Sequence, residues 1–215
     1  MAIDDLVHRY RPAAGEAEGA LVLMHGRGVH ENDLFPLLDL LDPEQRLAAF
    51  TPRAPLQPPG QTGNHWYVVE RIGDPDRETF GATYARLGSW LDSVAEHTGV
   101  PPERTVLGGF SQGGVMAYAM GLGPGRPRPA AIIALSSFVP MVEGLKPDFT
   151  GRADLPVYHS HGVNDPIIGV EFGRAAAELL QGNVDLTYAE HPGGHTIDPR
   201  SFEEIQSIVA AATAP

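Results

Sequence analysis

The chain has 215 residues and a formal net charge of −12, and it contains no cysteine. This length suits one sizeable unit with its own core, so we expect a single α/β domain over residues 1–215. The absence of cysteine excludes disulfides, thiolate catalysis and thiolate metal sites. The negative charge disfavours nucleic acid and acidic membrane surfaces as partners.

Hydrophobic residues make up 42% of the chain and charged residues 20%, which is a balance typical of a folded, soluble protein. The sequence shows no apolar run of the length that a membrane-spanning helix needs. Residues 1–5 lack the basic and then apolar layout of a secretory signal. We therefore expect a cytoplasmic protein without stable membrane insertion.

Short β-rich runs alternate with helical patterns along the chain, and this alternation predicts a mostly parallel central sheet flanked by helices. The predicted strands are residues 21–24, 47–51, 104–108, 131–135, 155–159 and 184–188. The helical patterns lie around residues 33–41, 80–94, 114–120, 170–180 and 202–212. The pattern at 80–94 repeats apolar residues every three or four positions, which predicts a helix face that packs on the sheet.

Residues 52–76 form a long stretch that is rich in turn residues, with prolines at positions 52, 55, 58, 59 and 75. A connection of this length is uncommon in a small domain unless it has a role. The stretch either shapes a binding surface or is an exposed loop that proline stiffens. The sequence leaves both alternatives open.

Glycines at positions 109 and 113 flank Ser111 in the segment Gly-Phe-Ser-Gln-Gly. A predicted strand precedes this segment and a predicted helix follows it, which is the context of a sharp turn that exposes a nucleophilic hydroxyl. The five-residue pattern also arises by accident in a glycine-rich chain. Ser111 is therefore a candidate nucleophile, and the assignment depends on whether a base and a carboxylate accompany it.

A serine hydroxyl needs a base to remove its proton and a carboxylate to orient that base. Asp165 follows the predicted strand that ends near position 162, and His195 follows the last predicted strand. Taken alone, Asp165 is better explained as a turn or helix-capping residue, and its position after a strand favours the catalytic interpretation. His191 is the rival base, but it precedes a proline at the strand end and is expected to pack there. We expect Ser111, Asp165 and His195 to form a catalytic triad.

A tetrahedral oxyanion also needs two N–H donors, one from the residue after the nucleophile and one from an earlier strand–helix loop. Gln112 supplies the first backbone amide, and Arg27 in the segment His-Gly-Arg-Gly supplies the second. The alternative for that segment is a plain glycine-rich turn. His159 and His161 share one face of a strand, but no further ligand cluster accompanies them, so we expect no metal site.

These segments resemble the phospholipase/carboxylesterase family of small α/β-hydrolases, which includes bacterial carboxylesterases and the acyl-protein thioesterases. The resemblance implies an α/β-hydrolase fold without a large lid domain. It also implies the triad and the two oxyanion amides named above, and activity without a metal or organic cofactor. The matching segments are residues 23–28, 108–114, 161–166 and 193–195.

Two departures from this family bear on the substrate. Arg27 stands where the family often has an apolar residue, and Val68 follows an aromatic pair where the family often has aspartate. Aromatic and apolar residues near the site are candidate walls of a substrate pocket, with burial in the core as the alternative for each. The candidate wall residues are Trp66, Tyr67, Phe138 and Val139.

We expect a serine carboxylesterase that cleaves small to medium carboxylic esters through an acyl-enzyme on Ser111, with a small-molecule ester as its partner. An acyl thioesterase or a lysophospholipase is the alternative, because the same acyl transfer cleaves all three kinds of bond. A non-catalytic binding protein on a hydrolase fold is the alternative from another class. The acyl chain length, the leaving group, the physiological substrate and the formation of a homodimer stay open.

Overall fold

A seven-stranded sheet organises the structure, a computed structural model that describes residues 6–213. The strands are β1 (His8–Arg11), β2 (Gly19–Met24), β3 (Leu47–Pro52), β4 (Val69–Arg71), β5 (Asp74–Pro75), β6 (Thr105–Phe110), β7 (Ala131–Leu135), β8 (Pro156–Gly162) and β9 (Asp185–His191). The large sheet has the order β1-β3-β2-β6-β7-β8-β9, and β4 and β5 form a separate pair. Strand β1 runs antiparallel to β3 and the other neighbours in the large sheet are parallel, which confirms the predicted mostly parallel sheet.

Helices lie on both faces of the sheet. They are α1 (Leu37–Leu41), α2 (Arg77–Thr98), α3 (Gln112–Leu122), α4 (Val170–Leu180) and α5 (Phe202–Ala212). Strand β2 shows the two layers, because Val22 and Met24 join the core cluster beneath α2, α3 and α4. Leu21 and Leu23 join the cluster beneath α1 and α5. No helix within residues 6–213 is long and apolar enough to cross a bilayer.

The apolar stripe predicted along residues 80–94 lies on α2, where Phe80, Leu87, Leu91 and Val94 are buried. Asp76 begins this helix by accepting a hydrogen bond from the backbone N–H of Thr79. Its carboxylate thereby satisfies one of the backbone donors that a helix start leaves free. The sequence pattern therefore located both the helix and its buried face.

Three predicted boundaries differ from the structure. Helix α1 begins at Leu37 and not near position 33, because Pro36 precedes it and disfavours helical geometry in the residue before it. Strand β9 continues to His191, beyond the predicted end at position 188. The stretch 52–76 contains the short pair β4 and β5, so this connection is partly a small sheet.

The carboxyl ends of the parallel strands meet at one edge of the sheet, and α3 approaches this edge closely. A Cβ atom on Gly113 would overlap the carbonyl oxygen of Met24 at the end of β2. A Cβ atom on Gly109 would overlap the backbone of Gly113 in the same way. These two glycines therefore allow the turn after β6 and the first turn of α3 to pack directly on backbone.

We expect Gly113→Ala to lower the free energy of unfolding by about 2 kcal/mol or more, because the added methyl group meets backbone that cannot rotate away. Gly81→Ala is the matched control on α2, where a Cβ atom would meet nothing within 4 Å. That control should keep or raise stability by up to about 1 kcal/mol. Urea unfolding of both variants measures the difference, and equal stability of Gly113→Ala and the parent chain would contradict the close approach.

Candidate active site

Ser111 occupies the sharp turn between β6 and α3. Its backbone has φ 55° and ψ −121°, a positive-φ conformation that residues other than glycine rarely adopt. The backbone N–H of Ser111 donates to the carbonyl of Leu135 at 2.8 Å, which holds the turn against β7. Local strain of this kind costs about 1–3 kcal/mol and persists where the surroundings impose it. The turn leaves the hydroxyl facing the imidazole of His195.

Three side chains that are far apart in the sequence meet at this edge of the sheet. The Oγ of Ser111 lies 3.0 Å from Nε2 of His195. Nδ1 of His195 lies 2.7 Å from Oδ2 of Asp165. Because an ionised carboxylate only accepts hydrogen bonds, Nδ1 carries the hydrogen and Nε2 is free to accept from the serine hydroxyl. The imidazole therefore links the hydroxyl to the carboxylate in the order that nucleophilic catalysis requires.

The carboxylate of Asp165 follows β8 and is held on both oxygens. Its Oδ1 accepts the backbone N–H groups of Ile167 and Ile168 at 2.8 and 2.9 Å, while Oδ2 faces His195. Burial alone raises the pKa of Asp165, but the hydrogen bonds from His195 and the two amides outweigh it and hold that pKa below its ordinary value. Asp165 is therefore ionised at neutral pH and accepts hydrogen bonds from His195.

The loop after β9 places His195 over the turn. The ring of His195 contacts the ring of Phe110, with centroids 4.7 Å apart. His191, the rival base, is buried at the end of β9, where its Nδ1 accepts the backbone N–H of Gly193 at 3.2 Å. The structure thus puts His195 beside the serine and leaves His191 packed at the strand end.

The backbone amides of Arg27 and Gln112 border the same space. Neither N–H donates to an acceptor within residues 6–213, so both are free to bind an oxyanion. His25 holds the segment that contains Arg27: its Nδ1–H donates to the carbonyl of Gly26 at 2.6 Å, and its Nε2 accepts the backbone N–H of Ala54 at 3.0 Å. The loop that presents the Arg27 amide is therefore tied to the end of β3.

The side chain of Gln112 connects the turn to the loop at 64–68. Its Oε1 accepts the backbone N–H of Trp66 at 3.0 Å, and its Nε2 donates to the carbonyl of Tyr67 at 2.9 Å. Gln112 is buried, so both bonds form away from water. The sequence analysis assigned a role to the Gln112 backbone alone and gave no sign of this side-chain link.

A first cavity opens beside Ser111, with about 370 Å³ of empty space. Among the predicted wall residues, Tyr67 and Phe138 line it. Trp66 and Val139 are buried and are not among the described residues that line this cavity, which agrees with the alternative of core burial. Trp66 is fully buried and its indole N–H donates to the carbonyl of His25 at 2.7 Å, so it supports the loop that contains Arg27. The further lining residues are Arg27, Val69, Arg71, Ile72, Gly73, Gln112, Ile167 and Ile168.

A second cleft also opens beside Ser111, with about 590 Å³ of empty space that includes open solvent. His195 and Asp33 line this cleft, and Arg27 borders both spaces. The lining residues of β4 and of the turn after it lie in the stretch 52–76, for which the sequence left a binding surface open without naming them. The sequence analysis missed the residues after Asp165, because no motif or periodic pattern marks them. Their positions depend on how distant loops fold together.

A buried hydrogen-bonded chain lies behind the carboxylate of Asp165. The hydroxyl of Tyr118 lies 2.7 Å from Nδ1 of His159, and Nε2 of His159 lies 3.4 Å from Nδ1 of His161. Nε2 of His161 lies 2.8 Å from the carbonyl of Ile168 and 3.6 Å from Oδ2 of Asp165. Since the carbonyl can only accept, each group in the chain donates toward Asp165. The two histidines that resembled a metal pair thus belong to this chain.

The order of the sheet and the placement of the helices are those of the α/β-hydrolase fold. Over residues 10–213 the chain matches the phospholipase/carboxylesterase family, and it belongs to that family of hydrolases. The crystal structure of esterase PE8 is 28% identical, with a TM-score of 0.84 over 97% of this chain and 100% of that one. The carboxylesterase of Bacillus cereus is 22% identical, with a TM-score of 0.81 over 96% and 94% of the two chains, and shares the fold.

Curated relatives of this chain carry the name acyl-protein thioesterase 1. The protein from Debaryomyces hansenii is 27% identical over 220 residues, which cover 94% of this chain and 94% of the relative. The protein from Neurospora crassa is 33% identical over 219 residues, which cover 92% of this chain and 86% of the relative. The family assignment made from the sequence motifs is thereby confirmed.

Two buried histidines make stability depend on pH. Burial lowers the pKa of His25 to about 4 and that of His159 to about 3, so both are neutral in the folded protein near neutral pH. In the unfolded chain an ordinary histidine gains its proton near pH ~6.5. The free energy of unfolding should therefore fall by an amount on the order of a few kcal/mol as the pH drops from above ~6.5 toward 4.

Urea unfolding at pH 7.5, 6.0 and 5.0 measures this loss. His159→Gln should reduce the slope of stability against pH, because it removes one group that protonates on unfolding. Gln57→Ala is the control, since Gln57 is exposed and carries no titratable group, so its loss should leave the slope unchanged. Equal slopes in the parent chain and in His159→Gln would contradict this assignment.

Proposed function

We propose that this protein is a serine carboxylesterase that hydrolyses small to medium esters. The observation that carries the proposal is one imidazole, His195, with Ser111 Oγ at 3.0 Å on one side and Asp165 Oδ2 at 2.7 Å on the other. Such an arrangement increases the nucleophilicity of the hydroxyl, because the proton it loses has an acceptor in place. The ionised Asp165 stabilises the imidazolium that then forms.

The proposed reaction proceeds through an acyl-enzyme. His195 takes the proton from Ser111 as Oγ attacks the ester carbonyl, and the oxyanion binds the amides of Arg27 and Gln112. The protonated imidazole then gives its proton to the departing alcohol, which leaves the acyl group on the serine. Water attacks this intermediate with His195 again as the base, and the acid is released.

The lining of the first cavity supports small to medium acyl groups. Tyr67 and Phe138 bound the cavity, and α4 follows its wall at Ile168. Apolar walls of this kind hold a short acyl chain by removing it from water. The proposed substrate is accordingly a small-molecule ester with a short or medium acyl chain.

An acyl thioesterase is the second candidate, and the observation that favours it is the name that curated relatives carry. A thioester carbonyl accepts the same attack, so the triad geometry serves both bonds. Lysophospholipase activity stays an alternative for the same reason. A non-catalytic binding role is disfavoured by the strained turn at Ser111, because a binding module has no need of an exposed hydroxyl beside a base.

Ser111→Ala should lower kcat for ester hydrolysis by at least about 10³-fold, because the attacking oxygen is gone while the surroundings stay. The matched control is Ser93→Ala, whose hydroxyl donates within α2 to the carbonyl of Trp90. A fluorophosphonate probe should label the parent chain and Ser93→Ala, and should leave Ser111→Ala unlabelled. Unchanged thermal unfolding would show that Ser111→Ala is folded, and turnover equal to that of the control would reject the mechanism.

Substrate preference should separate the ester and thioester candidates. We expect kcat/KM for p-nitrophenyl butyrate and hexanoate to exceed that for the palmitate, because the proposed substrate has a short or medium acyl chain that packs against Tyr67 and Phe138. Matched acyl thioesters of the same chain lengths provide the comparison, with Ser111→Ala as the blank. A clear preference for the palmitoyl thioester would replace the carboxylesterase proposal with the thioesterase one.

A further inference from the structure

Arg27 borders both spaces beside Ser111, and its side chain has no ion-pair partner among the described residues. Arg27 is exposed and lines both the first cavity and the second cleft, each of which also contains Ser111. Within residues 6–213 its guanidinium has neither an ion pair nor a hydrogen bond. A cation in this position is notable in a chain whose formal net charge is −12.

The carboxylate of Glu31, on the same β2–α1 connection as Arg27, is already occupied. Glu31 binds the guanidinium of Arg53, with Nη2 of Arg53 at 2.6 Å from Oε1. This pairing holds the pKa of Glu31 near 2, so Glu31 is ionised and committed to Arg53. Arg71 also lines the first cavity, and it pairs at 2.9 Å with the exposed Asp74. Among the described residues that line the two spaces, Arg27 is therefore the arginine without an ion-pair partner.

The first cavity is the side on which an anion would bind. No carboxylate is among the described residues that line it, whereas Asp33 lines the second cleft and would repel an anion there. Tyr67 adds a donor to the first cavity, since its hydroxyl has no hydrogen-bond partner within residues 6–213. Burial raises the pKa of Tyr67, so the hydroxyl keeps its proton. A guanidinium and a phenol thus converge on one space.

The position of His195 indicates which part of the substrate lies there. The departing alcohol must receive its proton from His195, and His195 lines the second cleft. The leaving group therefore departs through the second cleft. The acyl part then lies in the other space beside Ser111, the first cavity, which Tyr67 and Phe138 line.

We propose, on the basis of the function proposed above, that the preferred substrate is an ester whose acyl part carries a carboxylate that pairs with Arg27. A half-ester of a short dicarboxylic acid has this chemistry. Hydrolysis breaks its acyl–oxygen bond, water supplies the new carboxylate oxygen, and the alcohol leaves with the proton from His195. The planar guanidinium of Arg27 suits a carboxylate because it can donate two parallel hydrogen bonds.

A matched pair of ethyl esters tests this inference. Ethyl hydrogen glutarate carries a terminal carboxylate, and ethyl pentanoate has the same acyl length without it, so titration of the released acid compares them directly. We expect the parent chain to have the higher kcat/KM for the glutarate. Arg27→Gln should lower the glutarate-to-pentanoate ratio by about tenfold, since hydrogen bonds to charged groups are worth about that factor or more.

Two further variants separate charge from other effects. Arg27→Lys should keep a ratio well above that of Arg27→Gln, because it retains the positive charge. Arg174→Gln is the control, because this substitution changes the net charge by the same amount. Arg174 is exposed and pairs with Glu190 away from the cavity. The ratio should not change in this control, and high salt should lower the ratio of the parent chain.

The outcomes distinguish this inference from the proposed function. If the parent chain prefers the pentanoate, or if Arg27→Gln and Arg174→Gln change the ratio equally, the anionic substrate is rejected while the esterase proposal stands. Labelling by the fluorophosphonate probe without hydrolysis of either ester also rejects the anionic substrate alone. Neither labelling nor hydrolysis would reject the proposed function, and this inference with it.

Discussion

The direct backbone contact between the first turn of α3 and the end of β2 is the constraint on which the site depends. Gly113 packs where any side chain would strike the carbonyl of Met24. The loop that contains Arg27 begins at His25, directly after Met24. This contact brings the amides of Gln112 and Arg27 to the same space. Ser111, two residues before Gly113, has its positive-φ conformation in the same turn. The geometry of the candidate site therefore depends on the positions of glycines as well as on its polar groups.

The sequence predicted the parts of this structure that local patterns encode. Alternating strands and helices indicate a parallel sheet, and the chain order of Ser111, Asp165 and His195 places each at a strand end. Each of these signals lies within a few consecutive residues. Strand β1 is different, because its antiparallel pairing with β3 is a long-range contact for which a four-residue strand gives little local evidence.

The pocket walls were less predictable because aromatic residues serve cores and cavities alike. Trp66 and Tyr67 are neighbours in sequence, yet Trp66 supports the loop at His25 while Tyr67 faces the cavity. The side-chain amide of Gln112 binds the backbone of both residues and thereby fixes the position of this segment. A buried amide of this kind leaves no signature in a single sequence, since Gln112 is also explained by its backbone role alone.

The direction of the hydrogen bonds behind Asp165 has a consequence for proton traffic. Tyr118, His159 and His161 are fully buried, and each donates to the next group in the row. The last hydrogen, on Nε2 of His161, is donated to the carbonyl of Ile168 and not to the carboxylate, whose Oδ2 is 3.6 Å away. A proton that passes along the row therefore meets no direct hydrogen bond into Asp165, and the carboxylate exchanges charge through the imidazole of His195.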